Sequence, residues 1–180
     1  MAHKAQYEYV LNLRDKFPSD FRGVDSLCIG SLDINSTSRG MRLDLLFTNS
    51  SHIGLDLGEG PGVDIVCSGH LYNPPRKFDT VYSCECFEHN KYWVETILNM
   101  TKLTRPGGLM FFTCATEGRM EHGTVRFDTD SSPFTTDYYR NITESDVLCE
   151  VPEFTTMFDS YEFSIHEGHR DLQFWGRIKN

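Results

Sequence analysis

The sequence of 180 residues predicts an α/β fold: a mostly parallel seven-stranded sheet, helices on both faces and an antiparallel C-terminal strand. Short apolar segments alternate with helical patterns, which is typical of parallel βαβ units with right-handed crossovers. Small or acidic residues follow several of these segments, where ligands bind in such sheets. These residues are Gly30, Asp56, Ser68, Ser83, Cys84 and Glu85.

The first half of the chain predicts one long helix and three strands. Apolar positions at three- and four-residue spacing predict an amphipathic helix over residues 2–17, which Pro18 ends. Asparagine, serine and threonine at residues 35–38 offer N-caps for a short helix from about residue 39 to 47. The predicted strands are residues 24–29, 52–57 and 63–67.

The connection between the second and third strands is short. Only six residues separate Asp56 from Val63, whereas a parallel crossover normally needs about a dozen or more. Either an extended Gly-Pro-Gly loop crosses one short strand, or the third strand has a different position.

The second half predicts four more strands and two helices. Residues 78–84 include Phe78, Val81, Tyr82 and Cys84, and this apolar character suits a strand covered on both faces. Asn90 can cap a helix that ends before the Arg-Pro-Gly-Gly turn at residues 105–108, and Thr143 with Asp146 opens another. A polar loop at 116–136 is long enough to suggest a functional or mobile segment. The remaining strands are residues 109–114, 155–165 and 172–178, the last two joined as a hairpin through 166–169.

Charge and hydropathy exclude some classes of protein. The net charge of −9 argues against a general nucleic-acid binder, although 17 Lys and Arg leave room for a local basic groove. No apolar run approaches the roughly 18 residues of a membrane span, and the N-terminus does not resemble a signal peptide. We therefore expect a cytoplasmic protein with no membrane partner.

The six cysteines agree with a reducing compartment. Most of them lie in or beside apolar segments, where free cysteine behaves as a small hydrophobe. Cys84 and Cys86 are separated by one residue, not by the two of a common zinc hairpin. Structural reduced thiols are therefore favoured and no metal is predicted, although Glu85 and His89 nearby leave a metal site open as an alternative.

Asp56 predicts a binding function. It stands at the end of a buried strand, and a carboxylate there can accept protons from both hydroxyls of a ribose. The sequence therefore predicts an adenosine-containing cofactor.

Four segments, taken together, resemble class I S-adenosylmethionine-dependent methyltransferases. They are SLCIGSLDINS, HIGLDLGEGPGVDIV, FDTVYSCECFEH and LTRPGGLMFFTCA, in family order within roughly residues 24–115. The resemblance implies a Rossmann-like fold, S-adenosyl-L-methionine as cofactor and methyl transfer as the reaction. It also implies one domain over residues 1–180, with an N-terminal helix (1–20), a cofactor-binding core (24–115) and a substrate loop with closing strands (116–180).

The resemblance also implies cofactor-binding residues. Gly30 and Ser31 match the place where the backbone approaches the methionine part of the cofactor, an approach that a Cβ would obstruct. Asp56 matches the ribose-binding acid. The other matching positions are Leu57, Ser68 and Gly69 against the adenine, and Ser83 and Cys84, with Glu85, beneath the sulfonium and the acceptor.

The chain departs from the family pattern at two places. Cys28 and a single Gly30 replace the usual acid and two or three glycines, and Ser68 stands where an acid is common. A catalytically inactive methyltransferase-like subunit that binds a protein partner is therefore the alternative. A nicotinamide enzyme is disfavoured because the chain lacks the GxGxxG phosphate cradle after its first strand.

Two residues are predicted to act on the acceptor. His122, in the loop after the fifth strand, could remove a proton from a hydroxyl as methyl transfer proceeds. Glu85 either faces the acceptor or pairs with His89, four residues later. The acidic balance favours a small-molecule or sugar acceptor.

Overall fold

The computed structural model describes residues 4–34, 42–135 and 137–180. Seven strands form one sheet in the order β3-β2-β1-β4-β5-β7-β6. The first five strands are parallel, and β7 lies antiparallel between β5 and β6. The elements are α1 Lys4–Lys16, β1 Asp25–Ile29, β2 Ser51–Asp56, β3 Ile65–Val66, β4 Phe78–Cys84, α2 Trp93–Leu103, β5 Thr104–Ala115, α3 Glu144–Glu150, β6 Phe158–His166 and β7 Asp171–Ile178. The predicted fold class is confirmed.

Helices cover both faces of the sheet because successive strand residues point to opposite sides. Tyr82 and Phe111 pack on the α1 side, in a core that includes Val10 and Leu13 of that helix. Their neighbours Val81, Met110 and Phe112 pack on the other side with α2 and α3. Because both faces are covered, every residue of β4 except Asp79 is buried.

The β2–β3 connection replaces a crossover helix with an extended loop. Asp64 N donates to Gly54 O (2.8 Å), Gly54 N donates to Asp64 Oδ2 (2.7 Å), and Asp33 N donates to Pro61 O (2.8 Å). β3 pairs in parallel with β2 through Leu55–Ile65 and Asp56–Val66. The first of the two alternatives for this connection is therefore right, and β3 has two residues instead of the predicted five.

Two predicted helix features differ from the structure. The helix expected at 39–47 lies partly outside the described residues, and its described part contains only the 3-10 turn Asp44–Leu46. The N-cap of α2 is Tyr92 rather than Asn90. Asn90 instead accepts from Tyr92 N (2.9 Å) and donates to Thr96 Oγ1 (2.9 Å), so its amide stabilises the turn before the helix.

The Arg-Pro-Gly-Gly segment ends α2 as predicted, but it belongs to the following strand. β5 begins at Thr104, which pairs with Phe78, and the pairing resumes at Leu109 with Thr80. Residues 105–108 form the irregularity between these pairs, and Gly107 there has a φ of +71°. A β-bulge accommodates such extra residues while the chain stays at the sheet.

The capping box predicted for α3 is present. Asp146 N donates to Thr143 Oγ1 (3.1 Å), and Thr143 N donates to Asp146 Oδ2 (2.8 Å). We expect Thr143→Ala to lower the free energy of unfolding by about 1 kcal/mol, because the substitution leaves a helix N–H without its acceptor. Urea unfolding would measure this loss. Ser145→Ala, at an exposed position in the same helix, is the control and should not destabilise; equal stability of the two variants would contradict the prediction.

None of the helices in the described part of the chain is long and apolar enough to cross a membrane. All six cysteines carry free thiols, as the sequence analysis expects.

Candidate active site

A cavity of about 560 Å³ lies at the C-terminal ends of the parallel strands. Its size falls within the roughly 300–1,000 Å³ of small-molecule sites. The segments that follow β1, β2, β3 and β4 all contribute to its wall, as expected of ligand sites in such sheets. Among the predicted residues, the wall includes Gly30, Ser31, Asp56, Leu57, Ser68, Gly69, Cys84 and Glu85.

Gly30 and Ser31 form the turn after β1. Gly30 has a φ of +79°, and a Cβ there would lie 2.6 Å from Cys86 Cβ. A glycine is therefore required by the protein's own packing, apart from any requirement of a ligand. Ser31 Oγ is buried and has no hydrogen-bond partner within residues 4–34, 42–135 and 137–180, so this hydroxyl on the cavity wall can serve a ligand.

Asp56 ends β2 at the cavity wall. Its Oδ2 accepts from Leu32 N (2.9 Å) and its Oδ1 from Leu57 N (2.7 Å). Burial raises the pKa of this carboxyl above its usual value, although the backbone N–H donors oppose that shift. Backbone N–H groups of Leu32, Leu57 and Gly58 occupy part of the roughly four lone-pair positions of the carboxylate, and the remaining capacity can accept from a ligand hydroxyl.

Leu57, Ser68 and Gly69 lie on the β2–β3 side of the cavity. Ser68 Oγ is 2.8 Å from His70 Nδ1, so its hydroxyl is already engaged. A Cβ at Gly69 would approach Ile29 Cγ2 to 2.6 Å. Close packing therefore accounts for a glycine at this position.

Ser83 and Cys84 have different environments. Ser83 is not part of the cavity wall: it is fully buried, and its hydroxyl donates to Ile29 O (2.8 Å). Cys84 is part of the wall, and burial raises the pKa of its thiol to about 12. This thiol therefore stays protonated and weakly nucleophilic near neutral pH.

Glu85 lies directly after β4 with a left-handed backbone (φ 53°), an uncommon conformation for a residue other than glycine. Its side chain is buried, and its Oε1 accepts from Thr113 Oγ1 (2.9 Å). Such strain persists only where the surroundings hold it, and it often occurs at functional sites.

His122 does not form part of the cavity wall. Its ring packs edge-on against His89, which does line the cavity, at a centroid distance of 4.9 Å. Burial lowers the pKa of His122, and burial together with His122 lowers the pKa of His89 to about 3. Both imidazoles are therefore neutral near pH 7.

Several residues of the wall were not predicted. Gln6 reaches the cavity from α1, Asn90 follows β4, and Ser131 and Ser132 come from the long polar loop. Phe134 of this loop packs over Gly58, where a Cβ would lie 2.3 Å from its ring. The length and polarity of the loop indicated a function, but no local pattern in the sequence connects Gln6 with this site.

No family model matches the chain, and no curated protein matches it in sequence. Solved structures do match it over nearly its whole length. The N-methyltransferase NodS from Bradyrhizobium japonicum WM9, in complex with S-adenosyl-l-homocysteine, is 13% identical, with a TM-score of 0.62 over 98% of this chain and 87% of that chain. A 1,6-didemethyltoxoflavin-N1-methyltransferase from Burkholderia thailandensis, with 1,6-didemethyltoxoflavin and S-adenosylhomocysteine bound, is 15% identical. Its TM-score is 0.58 over 100% of this chain and 93% of that chain.

A third structure, an S-adenosylmethionine-dependent methyltransferase from Clostridium acetobutylicum ATCC 824, is 9% identical, with a TM-score of 0.64 over 100% of this chain and 93% of that chain. The chain has the class I methyltransferase fold. Within this methyltransferase fold, S-adenosylmethionine or its product S-adenosylhomocysteine is the molecule bound in neighbouring proteins. At these identities the similarity is one of fold.

Proposed function

We propose that the protein is a cytoplasmic S-adenosylmethionine-dependent methyltransferase that acts on a small-molecule or sugar acceptor. The observation that carries this proposal is the position of Asp56 at the wall of a cavity of about 560 Å³, at the strand ends of a methyltransferase fold. The carboxylate, the turn at Gly30 and the end of β4 surround one space, as a cofactor with a nucleoside and an amino-acid part requires.

The residues present fit this cofactor. In the proposed arrangement Asp56 accepts from the ribose hydroxyls, while Leu57 and the Ser68–Gly69 backbone lie along the adenine. The buried hydroxyl of Ser31, which has no partner among the described residues, is available to the methionine part. The loop segment with Ser131 and Ser132 lines the cavity and would shield part of the bound cofactor from water.

The bound cofactor supplies an activated methyl group, so the protein has mainly to align the acceptor with it. The neutral Cys84 thiol serves this chemistry, because a thiolate beside an electrophilic methyl group would compete with the acceptor. Glu85 and Asn90 lie on the same wall and can position an acceptor through hydrogen bonds. The roles predicted for Glu85 toward the acceptor and for His122 as a base remain predictions.

The nature of the acceptor rests on two observations. The net charge of −9 disfavours a polyanionic acceptor such as nucleic acid. The Burkholderia protein has a small-molecule acceptor in its structure together with S-adenosylhomocysteine. Both favour a small, uncharged or cationic acceptor, including a sugar.

Calorimetric titration tests the proposal. We expect S-adenosylmethionine and S-adenosylhomocysteine to bind in the micromolar range, and NAD and ATP to bind far more weakly. A panel of small-molecule and sugar acceptors should then give S-adenosylhomocysteine as product. Tighter binding of NAD would contradict the proposed cofactor, while cofactor binding without turnover on any acceptor would favour the inactive partner subunit.

A further inference from the structure

A cluster of three side chains extends from the cavity wall into the protein behind it. Glu88, His89 and His122 place one potential ligand atom each within 4.8 Å of one another. Glu88 is 0% and His89 5% exposed. The residues proposed above to bind the cofactor and to position the acceptor do not include Glu88.

The polar atoms of this cluster lack partners. Neither carboxylate oxygen of Glu88 and neither ring nitrogen of His89 has a hydrogen-bond partner in the described part of the chain, and His122 Nε2 has none there either. A buried polar group without a partner costs about 1–3 kcal/mol, and a charged one costs more. Five such atoms at one place make this cluster a candidate ligand site.

The tautomer of His122 favours a ligand with positive charge. Its Nδ1 lies 3.1 Å from Met120 O, a carbonyl that can only accept, so Nδ1 carries the proton. Nε2 therefore presents a lone pair to the cluster. The lone pair on His122 repels an anion and can bind a cation, and Glu88 offers two further oxygen atoms as electron donors.

We propose that Glu88, His89 and His122 bind a divalent transition-metal ion. Two imidazoles and one carboxylate form a common ligand set for zinc and for iron(II), whereas magnesium and calcium prefer oxygen ligands. A tetrahedral ion about 2.0–2.2 Å from each ligand holds its ligand atoms about 3.3–3.6 Å apart. The three atoms, now within 4.8 Å of one another, would therefore move closer by side-chain rotation when the ion binds. One ion satisfies an atom of each side chain.

The surroundings hold the imidazoles in place. Tyr139 packs against the rings of His89 (5.4 Å) and His122 (5.1 Å), and its hydroxyl donates to Met120 O (3.1 Å), the same carbonyl that orients His122. A Cβ at Gly123 would lie 2.6 Å from His89 Cε1, so the backbone closes directly over that ring. Outer partners of this kind orient metal-binding histidines in general.

Three protein ligands leave at least one coordination position open, as in catalytic metal sites. Because His89 also lines the cavity, that position can reach the cavity and coordinate an oxygen of the acceptor. This last step rests on the proposed function, whereas metal binding does not. His122 then acts as a metal ligand instead of the base that its sequence position suggests.

Metal titration of the full chain tests the site. Protein freed of metal by a chelator would be titrated with Zn²⁺, Mn²⁺ and Mg²⁺ by calorimetry, and Co²⁺ would report tetrahedral ligands through its visible absorption. We expect one Zn²⁺ per chain, weaker Mn²⁺ and little Mg²⁺. Glu88→Gln and His122→Ala should each weaken Zn²⁺ binding at least about tenfold.

The double variant His166→Ala/His169→Ala is the matched control, because these rings form another close histidine pair, 5.3 Å apart on the β6–β7 hairpin. It should keep the high-affinity ion. The proposal would be overturned if the protein bound no stoichiometric Zn²⁺. It would also be overturned if the hairpin variant lost Zn²⁺ binding while Glu88→Gln and His122→Ala kept it. Titration with S-adenosylmethionine on the same samples separates the two proposals: metal binding without cofactor binding removes only the proposed function.

Discussion

Asp56→Asn is expected to weaken the binding of S-adenosylmethionine about 10- to 100-fold. Hydrogen bonds to a charged group contribute about 1.5–3 kcal/mol, and each 1.4 kcal/mol is about a factor of ten in affinity. The asparagine keeps the shape of the side chain and one acceptor, so the bonds from Leu32 N or Leu57 N are not all lost. Calorimetry with S-adenosylmethionine and S-adenosylhomocysteine would measure the change.

The dependence of this affinity on pH gives a second measurement. The pKa of Asp56 is raised by burial, and the ribose hydroxyls donate more strongly, and to both oxygens, when the carboxyl is ionised. Affinity of the unmodified protein should therefore fall as the pH is lowered toward that raised pKa, while Asp56→Asn should lack this fall. Asp159→Asn, on an exposed part of β6, removes the same charge and is the control. Equal affinities of the two variants would show that Asp56 does not bind the cofactor.

Gly54→Ala is expected to destabilise the fold by at least about 2 kcal/mol and to impair the cavity. Gly54 lies in β2 beneath the β2–β3 loop, and a Cβ there would lie 1.9 Å from Gly62 O and 2.7 Å from Ser31 Oγ. A backbone carbonyl cannot rotate away as a side-chain end can. The loop would have to lift from the strand, which breaks its bonds between Asp64 and Gly54.

Denaturant unfolding and cofactor titration together measure this effect. Gly168→Ala is the matched control: its added Cβ would meet only the ring of His166, at 3.2 Å, in the exposed β6–β7 hairpin. We expect the control to retain the stability and cofactor affinity of the unmodified protein to within about 0.5 kcal/mol. If Gly54→Ala were equally stable, the loop would not be held on β2 as the structure places it.

Local patterns in the sequence predicted those elements whose cause is local. The strand predicted at 78–84 coincides with β4, in which every residue except Asp79 is buried and four of the seven are apolar, as suits a strand covered on both faces. The Thr143–Asp146 capping box forms between residues three positions apart, so it could be recognised without any tertiary information. The short β2–β3 connection was also visible as a departure from the usual crossover.

Other features depend on contacts between distant parts of the chain. The β2–β3 loop is stable because Gly54 leaves room for it, and this packing could not be inferred from the loop's own residues. Ser83 lies at the C-terminal end of β4, yet the sheet turns its hydroxyl toward Ile29 O instead of the cavity. Gln6 reaches the cavity only because α1 packs on the face of the sheet beside Cys84.

The strand-end positions of Gly30 and Asp56 follow from the pattern of apolar segments. A parallel sheet brings such ends to the same edge, independently of the conformation of the loops. The proposed metal cluster has the opposite origin. Glu88 and His89 are adjacent, but His122 comes from a loop beyond β5, and only the fold of that loop against Tyr139 brings its ring to His89. Burial, which removes water as a partner for these side chains, is likewise a property of the packed chain and not of its sequence pattern.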